Sequence, residues 1–535
     1  MTGKIVGILI VTALAAQFSR IAHVRSPTGE TPFHSANDRS RWCAVAALGG
    51  YGQFEIDPFL ELRDPKTKRR TWATIDLVRH RGRDGKQHYY SSKPPLLSAM
   101  HASVYAAVRL TTGLSLLEQT FTTARVILVL VSLIPLAMTW WLWGGYWQRQ
   151  SLSQWALAVA MTFMLWGTFI SSFANTLNNH VPGAIAAGVS LLIVLKIIED
   201  GQRQWRWFVL AGMSAAMAAV CELPALSWVA AVYALLIPIS PKRAAIGLTA
   251  GALPLAIAFV VINVLAHGDL RPPYAHRAKG ELITSLARDQ MQPTATAQSV
   301  DADAMPTESI GPREWPRLIG AVRELGYEIS GQAQVRSTRT PGVDELWDER
   351  TQFRFALVAS TTQIDVHHWD DWYDYPNSYW YPDRKQGVDR GEPSRGWYLL
   401  QATFGHHGIF SLTPMWLLLP LGFWTLWQET PGQWRRRLLE PRVQLMLAIG
   451  ITSLVCFAFY MLRPLADRNY GGVSSGFRWM FWFTPLWCWV LAHALNRIRT
   501  RWSRRLVLAA LAVSIFSATY PWDNPWTAPW LFQLF

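Results

Sequence analysis

The strongest constraint on the fold is a series of eleven apolar runs that approach the length needed to cross a bilayer core. They lie at about 5–22, 125–144, 154–173, 181–198, 207–221, 223–239, 244–266, 409–427, 443–462, 478–495 and 506–520. Composition agrees, because only 16% of the 535 residues are charged, against roughly 25% in an average soluble domain. The sequence therefore predicts an all-α polytopic membrane protein with about eleven transmembrane helices.

The positive charges of the short loops predict the orientation of these helices. Cytoplasmic loops are enriched in Lys and Arg, and every second loop of this chain carries them, whereas the turns at 175–181 and 222–224 have none. The loops placed inside contain Arg149; Arg203 and Arg206; Lys242 and Arg243; Arg435, Arg436, Arg437 and Arg442; and Arg497, Arg499, Arg501, Arg504 and Arg505. The N-terminus is thus predicted to be cytoplasmic, and the outer loop 463–478, which carries three arginines, breaks the rule.

The same charge pattern divides the chain into three parts. We predict an N-terminal membrane module at 1–266 with a first outer loop at 23–124, an extracytoplasmic segment of mixed structure at 267–408, and C-terminal transmembrane helices with an outer tail at 409–535. The apolar segment 94–113 is interpreted as a helix lying in the outer interface, because counting it as a span would move the arginine clusters outside. The first apolar run also resembles a cleavable signal peptide, and in either case the residues from 23 onward are exported.

Two stretches of the second outer segment differ in composition. The stretch from Gln292 to Gly311 is polar and poor in large apolar residues, which predicts a flexible loop. The stretch 367–398 is rich in Trp, Tyr, Asp and Arg, the side chains that stack on sugar rings and bond to their hydroxyls. Its aromatic residues could equally pack within a small folded domain.

The first outer loop contains two candidate functional residues. Asp38 lies just beyond the first span at the start of a short predicted helix, where a carboxylate can accept a proton from a hydroxyl group. Lys93 precedes a Pro-Pro helix start at the membrane surface, where an ammonium group can hold a phosphate at headgroup depth. Each residue alone also has an ordinary interpretation, Asp38 as a helix N-cap and Lys93 as an interfacial lysine.

Together these motifs resemble the C-type (GT-C) glycosyltransferases, the superfamily that includes protein O-mannosyltransferases and lipid A aminoarabinose transferases. The resemblance covers roughly residues 1–240, and beyond them only the architecture matches. It rests on three motifs. The first is an Asp-x-x-Arg-aromatic pattern, here Asp38, Arg41 and Trp42, and the second is a Ser-Lys-Pro-Pro-Leu signature, here Ser92 to Leu96. The third is an arginine that opens the next span, here Arg125. Many relatives have two adjacent acids in the first pattern, whereas this chain has Arg39 at the second position, so a paired-carboxylate role is excluded there.

The resemblance implies the reaction and its location. It implies a polyprenyl-phosphate sugar as donor, transfer to an acceptor hydroxyl or amine on the outer face, and inversion at the sugar, with Asp38 as the general base and Lys93 as a phosphate ligand. The protein would then lie in a bacterial inner membrane with a periplasmic active site. The acceptor is left open as a lipid, a protein or a glycan, and membrane lipids are the surrounding partners.

Further substrate-binding candidates lie in the outer turns. The cations at 463–478 would be explained by an anionic lipid phosphate, although they could also pair with Asp467 or with lipid headgroups. An acidic residue between two apolar runs is costly unless it faces a polar cavity, which makes Glu222 a candidate, with a surface cap as the alternative. The complete set of substrate-binding candidates is Arg41, Lys93, Arg125, Asn175, Asn179, His180, Glu222, Asn469, Tyr470 and Arg478.

Other functions have weaker support in the sequence. We expect no cofactor: His367-His368 with Asp370 and Asp371, or His406-His407, could bind a divalent cation, but their spacing is not specific. The net charge of +14 is distributed by membrane side, so no nucleic-acid partner is expected. A transporter or flippase of a lipid-linked glycan, or a non-catalytic glycan-binding protein, is the alternative to a glycosyltransferase.

Overall fold

The computed structural model describes residues 2–277, 279–288 and 310–534, so most of the polar loop predicted from Gln292 to Gly311 lies outside the described residues. Six helices are long and apolar enough to cross a membrane, which makes the chain an integral membrane protein: Gly3–Ala22, Thr120–Arg149, Gln154–Asn175, His180–Ile198, Pro241–His267 and Pro441–Met461. Helices also coincide with the other five predicted spans, but they are shorter, interrupted or less apolar. The count of eleven spans remains a prediction.

The α-helices of the described residues are, in chain order, α1 Thr2–Ala22, α2 Ala36–Tyr51, α3 Asp57–Leu60, α4 Pro95–Thr112, α5 Thr120–Leu128, α6 Ile134–Arg149, α7 Gln154–Trp166, α8 Phe169–Ser172, α9 His180–Ile198, α10 Trp205–Cys221, α11 Leu226–Leu236, α12 Pro241–His267, α13 Trp315–Glu324, α14 Arg395–Thr403, α15 Ile409–Leu412, α16 Leu419–Glu429, α17 Trp434–Leu439, α18 Pro441–Met461, α19 Thr484–Arg497 and α20 Arg501–Thr519. A π-helical turn, Val129–Leu133, joins α5 to α6. The helix predicted at 94–113 is present as α4.

The outer segments contain two antiparallel sheets. The first outer loop forms a hairpin of β1 (Leu77–Arg81) and β2 (Gln87–Ser91), which the sequence analysis did not predict. The segment between α12 and α14 forms a five-stranded sheet in the order β3-β7-β6-β5-β4, with β3 Leu282–Ala287, β4 Gln334–Ser337, β5 Asp344–Trp347, β6 Arg354–Ala359 and β7 Gln363–His368. The apolar face of α13 packs on this sheet, so the second outer segment is mixed, as predicted.

The helices of the membrane module pack closely where small residues meet. A Cβ atom at Gly212 of α10 would collide with the backbone of Leu248 in α12, and one at Gly251 would collide with the backbone of Val209. Helices without polar surface gain stability in lipid from such close approach. This contact fixes α12, whose C-terminal end supports the outer hairpin.

A stack of four rings joins the first outer loop to the second outer segment. The His80 ring lies 4.1 Å from that of Tyr90 and 4.2 Å from that of Trp372, and Trp372 stacks on His276 at 3.4 Å. The backbone N–H of Arg79 donates to the carbonyl of Trp372 at 2.8 Å. The stretch after β7 therefore lies directly against the first outer loop.

Candidate functional site

Asp38 anchors the turn that follows the third predicted span. Ser35 caps α2 by accepting the backbone N–H of Asp38, which turns the Asp38 side chain inward. Asp38 Oδ2 accepts the N–H of His34 and Oδ1 accepts the N–H of Leu177, both at 2.9 Å. The side chain is fully buried, and this burial raises the pKa of Asp38 to about 7 against the opposing effect of its hydrogen bonds.

A continuous chain of hydrogen bonds connects five of the predicted site residues. Arg41, one turn after Asp38 on α2, donates from Nη2 to Asn179 Oδ1 at 2.7 Å. Asn179 Nδ2 donates to Glu222 Oε1 at 2.7 Å, and His180 Nδ1 donates to the same oxygen at 2.5 Å. His180 Nε2 accepts from Arg478 Nη1 at 3.2 Å. The fold thus brings together residues from the first loop, two turns of the membrane module and the outer loop at 463–478.

Arg478 is held on several sides but keeps unused hydrogen-bonding capacity. It is 8% exposed, and its guanidinium carbon lies 4.6 Å from the ring centre of Trp526. Its Nε atom is buried without a hydrogen-bond partner among the described residues. Because Nε is enclosed next to Gly471, an anion would bind this planar cation at its terminal nitrogens.

Lys93 pairs with a carboxylate that the sequence analysis did not single out. In the hairpin, Leu77 lies opposite Ser91, and this register places Asp76 beside Lys93, with 3.0 Å between Asp76 Oδ2 and Lys93 Nζ. Asp76 is buried, at 6% exposure, and no described residue donates a hydrogen bond to its Oδ1. The register of the hairpin is the signal that would have identified Asp76.

The cations of the site outnumber the carboxylates that contact them. Burial lowers the pKa values of Arg41 and Lys93, and the positive charges of Arg41 and Arg478 also lower the pKa of Lys93. Glu222 and Asp76 both attract Arg41 and Arg478, and Asp76 attracts Lys93, but within the described residues no carboxylate lies within 4 Å of the guanidinium group of Arg41 or Arg478. An anion bound between the three cations would compensate their charge.

Asn469 and Tyr470 shape the loop that carries Arg478. Asn469 Oδ1 accepts the backbone N–H groups of Gly471 and Gly472 at 2.8 and 3.1 Å, and the Tyr470 hydroxyl donates to Glu392. Gly471 has φ +95°, and a Cβ atom there would lie 2.8 Å from Cγ of Arg478. Asn469 and Tyr470 therefore support the site from outside its hydrogen-bond chain.

Two predicted site residues have other neighbours. Arg125 lies over the ring of Phe121 at 5.3 Å, one turn earlier in α5. Asn175 donates to the carbonyl of Asp523 at 3.2 Å and so contacts the C-terminal tail. Neither side chain contacts the chain of residues from Arg41 to Arg478.

The C-terminal tail covers the site, which the sequence analysis did not foresee. Trp526 is 7% exposed and donates from Nε1 to the hydroxyl of Thr176 at 3.1 Å. Arg20 at the end of α1 donates to the carbonyl of Trp522 at 2.7 Å. The concentration of Trp and Pro after α20 was the available signal for a packed rather than a loose tail.

The histidine pairs considered as metal ligands have other contacts. His367 Nδ1 bonds to the carbonyl of Gly280 at 3.1 Å, and Asp370 pairs with Arg271 at 2.9 Å. The Nδ1 atoms of His406 and His407 lie 2.5 Å apart. In the part of the chain that the structure describes, no group of three or more His, Cys, Asp and Glu residues could hold a metal ion.

Comparisons with known proteins give a structural likeness but no related sequence. No family model matches the chain, and no curated protein matches it. Among solved structures, the chain is similar to the archaeal oligosaccharyltransferase AglB from Archaeoglobus fulgidus, in complex with an inhibitory peptide and a dolichol-phosphate, with 12% identity and a TM-score of 0.39 over 97% of this chain. The chain covers 56% of that protein's length. At this TM-score the likeness carries no argument for the reaction.

Proposed function

We propose that this protein is a membrane glycosyltransferase of the C type. It transfers a sugar from a polyprenyl-phosphate donor to an acceptor on the outer face of the membrane, with inversion at the sugar. The acceptor is a lipid, a protein or a glycan, and the location is the inner membrane of a bacterium. The sequence motifs suggest this reaction, and the contacts of the candidate site support it.

One observation carries the proposal: three cations from distant parts of the chain converge at one place. Arg41, Lys93 and Arg478 are all attracted by Asp76, and among the described residues only Lys93 of the three has a carboxylate within 4 Å. Glu222 reaches Arg41 and Arg478 only through Asn179 and His180, and buried guanidinium groups without a directly paired carboxylate favour an anionic ligand. A lipid phosphate has the matching charge, and as a leaving group it gains negative charge during transfer, which the cations would stabilise.

The position of Lys93 favours a ligand that arrives from the membrane. Lys93 directly precedes Pro94 and α4, the helix assigned to the outer interface. The large apolar side chains of Met100 and Leu110 on α4 are exposed, as expected for a helix that contacts lipid. A polyprenyl chain in the bilayer could therefore present its phosphate to Lys93.

Two carboxylates can act as the general base in this proposal. Asp38 has a pKa of about 7, which suits a base at neutral pH, but its enclosed oxygens both accept backbone N–H groups, so the segment around Leu177 has to move before an acceptor can reach it. At Asp76 no backbone hydrogen bond has to break first, because no described residue donates to its Oδ1 and its Oδ2 pairs with Lys93. Asp38 remains the base predicted from the resemblance, and Asp76 is the alternative that the contacts provide.

The first test is binding of undecaprenyl phosphate to the purified protein. We expect saturable binding that Lys93→Ala and Arg478→Ala each weaken by roughly tenfold or more, since a hydrogen bond to a charged group contributes about 1.5–3 kcal/mol. Arg468→Ala is the matched control, because Arg468 lies in the same loop but donates to backbone carbonyls of Arg463 and Pro393. Absence of binding to the wild type would remove the donor assignment.

A transfer assay separates an enzyme from a transporter or a glycan-binding protein. The wild type and its Asp38→Asn and Asp76→Asn variants are incubated with native membranes and a panel of undecaprenyl-phosphate hexoses and pentoses. Replacement of the base lowers transfer by roughly a hundredfold or more while undecaprenyl phosphate still binds, and the variant with the larger loss identifies the base. If both variants transfer sugar like the wild type, neither carboxylate is a catalytic base.

A further inference from the structure

Trp380 lies next to the candidate site without belonging to its hydrogen-bond chain. Its Nε1 donates to the carbonyl of Ile75 at 2.9 Å, one residue before Asp76. The rings of Trp372, Tyr373 and Tyr375 in the same stretch are buried, whereas Trp380 is partly exposed. Trp380 therefore offers an accessible aromatic surface beside the Asp76–Lys93 pair.

Two cations flank this indole ring. The guanidinium carbon of Arg277 lies 5.4 Å from the ring centre of Trp380 and 4.0 Å from that of Tyr373. Lys385 Nζ lies 6.0 Å from the centre of the same Trp380 ring. Both positive charges therefore lie within about 6 Å of the same indole ring.

Neither cation forms a direct salt bridge in the part of the chain that the structure describes. Lys385 is only 8% exposed, and its ammonium group donates to the carbonyl of Ala466 at 3.3 Å. Asp467 and Asp389 attract Lys385, but neither carboxylate lies within 4 Å of it, and burial lowers the pKa of Lys385. A buried ammonium group with one long hydrogen bond has donors left for a ligand.

We propose that Arg277, Trp380 and Lys385 form a second binding site, which takes a saccharide that carries an anionic group. A carboxylate or phosphate of the ligand binds between the two cations, and the sugar ring packs against the exposed part of the indole. Aromatic surface combined with charged donors is the chemistry that recognises such ligands.

The position of this site identifies its ligand as the acceptor, an assignment that rests on the proposed function. The two regions adjoin, because Trp380 donates to the carbonyl of Ile75, the residue that precedes Asp76. A saccharide bound at Trp380 would lie beside Asp76, the carboxylate that can deprotonate its hydroxyl. The proposed donor phosphate, in contrast, is bound on the side of Arg41 and Lys93.

Binding of two trisaccharides to the purified full-length protein tests this site. Trigalacturonate carries three carboxylates and maltotriose none, and glucose 6-phosphate compares phosphate with carboxylate as the anionic group. We expect trigalacturonate to bind at least tenfold more tightly than maltotriose, and Arg277→Met and Lys385→Met each to remove most of this difference. Arg384→Met is the matched control, since Arg384 bonds to Asn377 and lies over Tyr381. Lys385→Arg keeps the charge and should retain binding.

The outcomes distinguish this inference from the proposed function. Equal affinity for trigalacturonate and maltotriose, or unchanged binding in Arg277→Met and Lys385→Met, overturns the second site. Loss of trigalacturonate binding in Lys93→Met but not in Lys385→Met also overturns it, because the anion would then occupy the donor site. Failure of the proposed function shows instead as absence of undecaprenyl phosphate binding, which the variants at Arg277 and Lys385 do not affect.

Discussion

Asp38 shows how a single buried carboxyl group couples the first outer loop to the membrane module. It holds the N–H groups of His34 and Leu177, which are far apart in sequence. The sequence predicted Asp38 as either an N-cap or a base. In the structure Ser35 is the N-cap of α2, and Asp38 anchors the two backbone segments. Any catalytic role of Asp38 requires the contact with Leu177 to open first.

The raised pKa of Asp38 predicts a pH dependence of stability. Burial raises this pKa from 3.8 to about 7. A carboxyl group whose pKa is higher in the folded chain stabilises the fold fully below its unfolded pKa, and this contribution is lost as pH rises through the folded pKa. We therefore expect the contribution of Asp38 to the unfolding temperature to fall from about pH 4 to about pH 8, while buried histidines with lowered pKa values, such as His34 and His101, act in the opposite direction.

The Asp38→Asn variant isolates this contribution. Asparagine has no proton to lose, so the unfolding temperature of the wild type should fall relative to that of the variant over this pH range, whatever the absolute values. Thermal unfolding followed by intrinsic fluorescence in detergent measures both proteins. Parallel pH profiles of the two proteins would show that Asp38 does not titrate in this range.

At the scale of elements, the tail after α20 and the loop before α19 form one structure around Arg478. The N–H of Ser475 donates to the carbonyl of Pro525 at 3.1 Å, which ties the loop to the tail. Gly471 and Gly472 adopt positive φ angles, which glycine tolerates without strain, and Gly471 leaves room for the Arg478 side chain. The orientation of Arg478 thus depends on the loop before α19 and on the tail, two segments whose described residues form neither an α-helix nor a strand.

Replacing Trp526 tests whether the tail orients Arg478. We expect Trp526→Ala to weaken undecaprenyl phosphate binding by roughly three- to thirtyfold, the range of a cation–π contact, and Trp526→Phe to retain part of the affinity. Trp530→Ala is the control, because Trp530 packs on Phe516 and donates to Ser517 instead. Equal affinities of Trp526→Ala and the wild type would show that the tail does not position this cation.

At the scale of the whole molecule, the proposed donor site lies where three separate parts of the chain meet. Arg41 and Lys93 come from the first outer loop, Asn179 and Glu222 from turns between helices of the membrane module, and Arg478 from the C-terminal part. The ring stack from Tyr90 to His276 holds the second outer segment against them. The site is therefore sensitive to the orientation of the whole helix bundle.

Cysteine labelling tests the predicted orientation. The four native cysteines are buried, so a single cysteine introduced at an exposed position is selectively accessible. We expect a membrane-impermeant maleimide to label Arg69→Cys in intact spheroplasts and Arg436→Cys only after lysis, since both positions are exposed and lie in predicted outer and inner loops. The reverse pattern would invert the predicted topology and place the candidate site on the cytoplasmic side.

Much of the architecture could be predicted from local sequence. Each predicted apolar run coincides with helix, and α4 occupies the segment assigned to the interface. The candidates in the outer turns were also recognisable, because a polar residue such as Glu222 is conspicuous between apolar runs. The β1–β2 hairpin was missed, although Asp84-Gly85 at its turn is a recognised hairpin signal.

The sequence by itself determined where the apolar helices lie and which polar residues stand between them, because hydrophobicity and charge are local properties. Only the tertiary structure decided which of these residues meet. Asp76 became a partner of Lys93 through the register of a hairpin, and Trp526 reached Arg478 through the path of the tail. Arg125 was excluded from the cluster in the same way. Contacts between residues far apart in the chain depend on packing, which no local pattern encodes.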